Sequence, residues 1–345
     1  MIGSGLVHLK FFAFFRERPR RSRLCMGWIA ACLMCAVMAA QDAGAPASAA
    51  EPTAPPTLRL TTDLVQIPVL ILTAKGERLS APLAPDRFQV RLHGGPAFQP
   101  KYVRVEGDDP IDLAIVVDTR IMSDDLLLKL DESIAALAPE FLHSGDHVSI
   151  FVIDCSNVET VQEVPADRAR LKKAVDLALG GWTKRRMQKT AAACDTDTHL
   201  WDVLAYVTNS LSKHPGWHAI LALTDGTNKK GNFSADALAR LAQNDQVTIL
   251  GLDPYMAGSH SRYIPGSSED DFLEICGSSG GLGLGLLDKT VIERMQWFTQ
   301  ILRDRYIVEF PRPPNLKAGK TAMTVKIKGM EAFIRPAGDL VPVTE

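Results

Sequence analysis

The sequence predicts an α/β fold, a mostly parallel sheet with helices on both faces, flanked by small β segments from the N- and C-terminal regions. Three observations predict it. Residues 113–117 and most of 218–224 form continuous apolar runs, the pattern of strands buried on both faces. Between such runs lie stretches with helical period, so strand and helix alternate many times. Before Asp109 and after Phe310 the pattern becomes short segments of period two, separated by turn residues.

The elements follow in order. Residues 58–73 are rich in β-branched and apolar types, Lys75-Gly76 reads as a turn, and 88–92 alternates. Gly94-Gly95-Pro96 is a second turn and 102–105 alternates again. After strand 113–117, Ser123 opens a helix with Asp124 and Asp125 in its first turn, where carboxylates suit the helix dipole. Its core stripe is Leu126, Leu127, Leu130, Ile134, Leu137 and Phe141. Residues 147–153 form the next strand, and a helix is expected from Pro165. Residues 180–197 read as a long loop. Helices then cover 200–211, 234–241, 270–276 and 290–303, and strands cover 218–224, 247–252, 284–287 and 306–310. The tail alternates at 322–327 and has an apolar run at 332–334; it is expected to pair with the N-terminal β segment and bracket the α/β domain.

Composition permits a full core: of 345 residues, 46% are hydrophobic and 23% charged. A net charge of -2 gives no global field for nucleic acid or anionic lipid. Arg16, Arg18, Arg20, Arg21 and Arg23 precede an uncharged apolar run at 24–40 and then a small-residue stretch, the order of a secretory signal. Cleavage is expected after Ala40 or Ala50; the alternative is an uncleaved anchor, since the run approaches the roughly 20 residues that span a bilayer. The expected organisation is a signal peptide or anchor at 1–40, a disordered Pro/Ala linker at 41–56, a β segment at 57–108, the α/β domain at 109–311 and a β tail at 312–345. That makes the protein exported, periplasmic or secreted. Beyond the leader only Cys155, Cys194 and Cys276 remain, too few for a disulfide scaffold.

In an open parallel sheet, ligands bind beyond the carboxyl ends of the strands. Asp118 follows Leu113-Ala114-Ile115-Val116-Val117, Thr198 precedes the helix His199-Leu200-Trp201-Asp202, and Asp225 follows Leu223-Thr224 and precedes Gly226. With Asp86-Arg87-Phe88-Gln89-Val90 and Leu302-Arg303-Asp304-Arg305-Tyr306, these segments and their order resemble the von Willebrand factor type A domain, and within it a bacterial exported subgroup with flanking β segments. The resemblance implies a Rossmann-like sheet and an adhesion or binding role. It also implies a Mg2+ site at the top of the sheet, held by an Asp-x-Ser-x-Ser loop, a threonine and a second aspartate. Mg2+ suits such oxygen donors and leaves room for a partner carboxylate. On this chain the matching residues are Asp118, Thr198 and Asp225.

The two serine positions are Arg120 and Met122. A guanidinium has no acceptor and a thioether is too soft for Mg2+. Metal binding is therefore expected to be weak or absent. Either Arg120 folds in and pairs with Asp118 and Asp225, as suits a residue that bridges carboxylates, or it points to solvent. Lys184, Arg185, Arg186 and Lys189 form a basic stretch leading to Thr198, either a rim that steers an acidic partner or a solvated loop. Cys155 and Cys194 either form a disulfide pinning that stretch or remain separate thiols.

Two enzymatic readings stand as alternatives. Gly277-Ser278-Ser279-Gly280-Gly281 matches a hydrolase elbow literally, but a helix precedes it where a strand is required. Asp118 as a phosphatase-like nucleophile lacks the second carboxylate two residues on, which here is Arg120. The sequence therefore reads as a non-enzymatic module binding a protein or peptide partner through Arg120, Lys184, Arg185 and Arg186, with no nucleic acid and no cofactor beyond a weak Mg2+ site. An inactive structural envelope protein is the remaining alternative.

Overall fold

A computed structural model describes residues 7–10, 64–155, 157–188, 199–254, 268–286, 290–313 and 322–337. The chain forms β1 (Val7–Lys10), β2 (Leu64–Thr73), β3 (Phe88–Leu92), β4 (Tyr102–Val105) and β5 (Ile111–Asp118). Next come α1 (Asp124–Leu127), α2 (Leu130–Ala135), β6 (His147–Asp154), β7 (Asn157–Pro165), α3 (Arg168–Ala178), α4 (Gly180–Gln188) and α5 (Leu200–Leu211). Then follow β8 (Trp217–Leu223), α6 (Ala235–Asn244), β9 (Val247–Asp253), α7 (Ser268–Ser278), β10 (Gly283–Gly285) and α8 (Val291–Arg303). Strands β11 (Tyr306–Pro311), β12 (Met323–Ile327) and β13 (Ala332–Pro336) end the described chain.

The main sheet has the order β1-β7-β6-β5-β8-β9-β10. Strands β6, β5, β8, β9 and β10 are parallel, while β7 is antiparallel to β6. Side chains alternate between faces along β5, and both faces are filled. Leu113, Ile115 and Val117 enter one core with α1, α2, α3 and α8. Ala114 and Val116 enter the other with α5, α6 and α7. The helix starts follow their caps: Ser123, Asp167 and Ser234 accept backbone N–H groups, and Thr290 with Glu293 forms a capping box.

The flanking segments build a second unit of core. One antiparallel sheet has the order β13-β2-β11-β4, and β12 pairs with β3. Val65, Ile67, Val69, Phe88, Val308 and Phe310 fill the space between them. The C-terminal tail thus pairs with the N-terminal segment on either side of the α/β domain.

Four local features differ from the sequence reading. Strand 306–310 leaves the parallel sheet and joins β2 and β4, because its alternating Tyr306, Val308 and Phe310 face the second core. The stretch 157–165 is a strand, not a lead into a helix at Pro165. A bulge shifts its register between Val148 and Ile150, with Glu163 at φ +55°, and this hides the strand's period of two. The stretch from 180 is helical through Gln188 rather than a loop: Trp182 packs into the first core, and Glu159 of β7 accepts the Gly181 N–H at 3.3 Å. A Cβ at Gly181 would meet that carboxylate at 1.9 Å, so any other residue here would push the Glu159 side chain aside. Finally, Val7–Lys10, read as part of a leader outside the fold, lies antiparallel along β7 and covers its open edge.

Two arginines at the α8–β11 junction join the two units. Arg303 donates to the carbonyls of Gly107 and Asp109 and to the buried Asp146 carboxylate. Arg305 is 2% exposed; it holds Glu106 at 2.8 and 3.0 Å and donates to Thr248 Oγ1 of β9. Removing one partner of a buried pair leaves the other charge uncompensated. Arg305→Ala is expected to lower unfolding free energy by about 3–5 kcal/mol, and Glu106→Gln by less, because the amide still accepts a hydrogen bond. Urea unfolding monitored by tryptophan fluorescence measures both.

Candidate functional site

Parallel pairing brings the ends of β5, β6 and β8 to one edge. Val117 sits beside Val152 and Leu223, so Asp118 follows on β5, Asp154 ends β6, and Asp225 lies two residues past β8. Asp118 is fully buried and Asp225 half-buried.

Arg120 turns back onto Asp118. Its backbone N–H and Nε donate to Asp118 Oδ1 at 3.1 and 2.9 Å, and Nη2 pairs with Oδ2. Both carboxylate oxygens are therefore engaged by one guanidinium, which is only 14% exposed. Burial pushes the Asp118 carboxyl above the ordinary aspartate range; Arg120 pulls it down, and the charge of Asp225 pushes it up again. Asp225 Oδ1 accepts the Thr227 N–H at 2.9 Å. The intervening Gly226 has φ +79°, and a Cβ there would strike Phe272.

A second arginine–carboxylate pair lies beside the first. Thr119 Oγ1 donates to the carbonyl of Ile153 and to Asp154 Oδ1. Arg185 of α4 pairs with the same Asp154 and also reaches Cys155 Sγ at 2.9 Å. Cys155 is disulfide-bonded. Its suggested partner Cys194 lies outside the described residues, as do Thr198 and Lys189. On the other side, Asp202 of α5 accepts N–H groups from Asn232 and Phe233 at 2.8 and 2.9 Å, and Asn228 Oδ1 accepts the Trp201 N–H. The β8–α6 loop is thereby tied to the start of α5.

Of the sequence-predicted residues, Asp118, Arg120 and Asp225 come together. Met122 is not at the rim; it packs in the first core. Arg185 is held by Asp154, and Arg186 pairs with Asp124 at 2.8 Å while lying over the Trp182 ring. Lys184 is exposed. Asp154, Thr119 and Asp202 were missed, although Asp154 ends a strand just as Asp118 does. Ser279 lies away from this edge. Its buried hydroxyl donates to the Cys276 carbonyl and accepts the Ile249 N–H, so it has a backbone-bridging role. Cys276 is a free, fully buried core thiol.

The described residues fit a Mg2+ centre poorly: the Asp118 oxygens already accept three N–H groups of Arg120, the guanidinium brings positive charge, and Met122 faces the core. No group of three or more His, Cys, Asp or Glu that could hold a metal occurs among the described residues.

Arg120→Ala leaves Asp118 buried without its partner, and a loss of about 3 kcal/mol is expected at neutral pH. The sign with pH follows from the raised carboxyl. The native state holds this proton more tightly than the unfolded chain, so Asp118 favours folding below the ordinary aspartate pKa, and that advantage is lost as pH rises through the folded value. Without Arg120 the carboxyl moves higher still, and the deficit of the variant should shrink on acidification. Thermal unfolding of both proteins across pH 7 to about 5 measures this; a deficit independent of pH would contradict it.

The chain matches no protein-family profile and no curated protein. Solved structures similar to it include the manganese-loaded TRAP protein of Plasmodium vivax, with 12% identity and a TM-score of 0.37 over 69% of this chain and 97% of that one. The vWF domain of the type V pili tip protein Mfa5 from Porphyromonas gingivalis has 10% identity and a TM-score of 0.39 over 56% and 96%. The SpRpn10 VWA domain has 12% identity and a TM-score of 0.34 over 53% and 93%. At these values the neighbours decide nothing about the site. The Rossmann-like, von Willebrand factor A-like fold rests on the chain's own strand order, its one long antiparallel strand β7 and its two helix layers.

Proposed function

We propose that this chain is an exported, non-enzymatic binding module that engages a protein or peptide partner at the carboxyl edge of its sheet, with metal binding weak or lost. The observation that carries the reading is the guanidinium of Arg120 on both oxygens of Asp118. The cation at the centre of the rim belongs to the protein itself. Recognition there is by hydrogen bonding and charge, with Arg120, Lys184 and Arg186 on the partner's side and Arg185 as a positioning residue that holds α4 to Asp154. A rim of paired arginines with the exposed Lys184 beside it offers directional donors to an acidic contact and makes association sensitive to salt.

Export rests on the basic, apolar, small-residue order of 16–50. Cleavage after Ala40 or Ala50 would remove Val7–Lys10 and leave β7 at the sheet edge. An uncleaved leader would keep the module at a membrane.

Calorimetric titration with Mg2+ and Mn2+ tests the core of the reading. No saturable uptake is expected in the micromolar range, and micromolar binding would sink it. The variant Arg120→Ser removes the guanidinium and supplies a hydroxyl beside Asp118, and should gain uptake. The enzymatic alternative has its own check: turnover of ester or phosphate substrates that vanishes in Asp118→Ala would refute the non-enzymatic assignment.

A further inference from the structure

We infer that the outer face of α3 and α4 is a docking surface for an acidic amphipathic protein segment, continuous with the rim proposed above and resting on that reading. The two helices follow one another with only Leu179 between them: Leu179 N–H donates to Val175 O and Thr183 N–H to Leu179 O, both at 2.9 Å, while Gly181 N–H turns aside to Glu159. Between 168 and 188 stand seven cationic residues (168, 170, 172, 173, 184, 185 and 186) and one acid, Asp176. Four of the seven are neutralised: Arg168 by Glu132, Lys172 by Asp131 and Glu132, Arg185 by Asp154 and Arg186 by Asp124. Arg170, Lys173 and Lys184 form no ion pair among the described residues, and all three are exposed.

These three fall on one side of the helices with Leu177 and Met187. The steps from Arg170 to Lys173, Leu177, Lys184 and Met187 are those that return to the same helical face. Leu177 is 41% and Met187 78% exposed, while Leu171, Ala174, Val175, Ala178 and Trp182 fill the opposite, buried side. The result is a strip about 25 Å long in which two exposed apolar side chains stand among three cations, with Asp176 the one acid of the two helices. The whole chain carries a net charge of -2, so this surplus is local. An acidic segment with apolar residues at helical spacing matches it in both respects. A lipid surface does not, because membrane-bound helices bury a broad apolar face, and here that face is already committed to the core. The same helix α4 holds Arg185 on Asp154 at the sheet edge, which places the strip next to the proposed rim.

Fluorescence anisotropy with a labelled peptide of about 20 residues, Leu at helical spacing and Glu elsewhere, tests this on the full chain at low ionic strength. Binding is expected, with a loss of at least about tenfold in the double variant Lys173→Glu, Lys184→Glu. Lys326→Glu on β12 should bind as the wild type does. A matched peptide with Gln for Glu, and phosphatidylglycerol-containing vesicles, should not bind. Failure of the wild type to bind, equal binding by the double variant, equal binding of the Gln peptide, or preference for vesicles each overturns the inference. Arg120→Ala separates the two readings. Peptide binding lost there but kept in the double variant removes the helix face and leaves the rim. The reverse result supports the face and counts against Arg120 at the rim. Circular dichroism melts confirm that each variant is folded.

Discussion

A buried carboxylate must have a counter-charge, and this protein meets the requirement with arginine at both ends of its sheet. At the amino edge Arg303 serves Asp146 and Arg305 serves Glu106; at the carboxyl edge Arg120 serves Asp118 and Arg185 serves Asp154. Each carboxylate is almost wholly covered. Covering a carboxylate this deeply without a partner would cost several kcal/mol, so none of these acids tolerates the loss of its arginine. The amino-edge pair does more than neutralise. Arg305 reaches from the sandwich unit to Thr248 at the start of β9, and Arg303 fastens the 107–109 linker. The two units are thereby held to one another through the segment that connects them.

The carboxyl-edge pairs change what the site can do. A metal at the same place would be exchangeable, would keep water, and would accept a partner's carboxylate as a ligand. A guanidinium tethered two residues from its aspartate is permanent, and it offers directional hydrogen bonds rather than an open coordination position. On the proposed reading, recognition at this edge would depend on ionic strength and not on divalent ions. It also becomes costlier to disturb, because a partner acid drawing Arg120 away would leave Asp118 buried and charged. The geometry therefore favours a partner that adds contacts around the pair over one that replaces Asp118.

Much of this was legible in the sequence where one local rule acted alone. Continuous apolar runs marked β5 and β8, Ser123 and Thr290 marked helix starts, and Asp118 and Asp225 were recognisable as acids delivered by strand ends. The same rule applied to β6 would have found Asp154. What stayed hidden depended on partners far along the chain. The bulge at Glu163 breaks the alternation of β7, so its strand character shows only against β6. The helical state of α4 depends on Glu159 at its N-terminus and on the burial of Trp182, neither of which its Gly-Gly opening suggests. Strand β11 has an apolar pattern that suits either sheet, and only its pairing with β2 and β4 decides between them. Sequence left open whether Arg120 folds inward onto Asp118 or points to solvent; geometry places it on Asp118.

The helical state of α4 bears directly on recognition. As a loop, its string Lys184-Arg185-Arg186 would scatter three charges into solvent. As a helix it divides them: Arg185 turns inward to Asp154, Arg186 leans on Trp182 and Asp124, and Lys184 remains outward in line with Lys173. The same helix thus anchors one arginine in the rim while presenting a lysine to whatever lies outside. Glu159 and Asp154 both come from the β6–β7 hairpin, so that hairpin sets the position of α4 through its carboxylates. A displacement of the hairpin would therefore carry α4 with it, and with α4 both proposed contact regions.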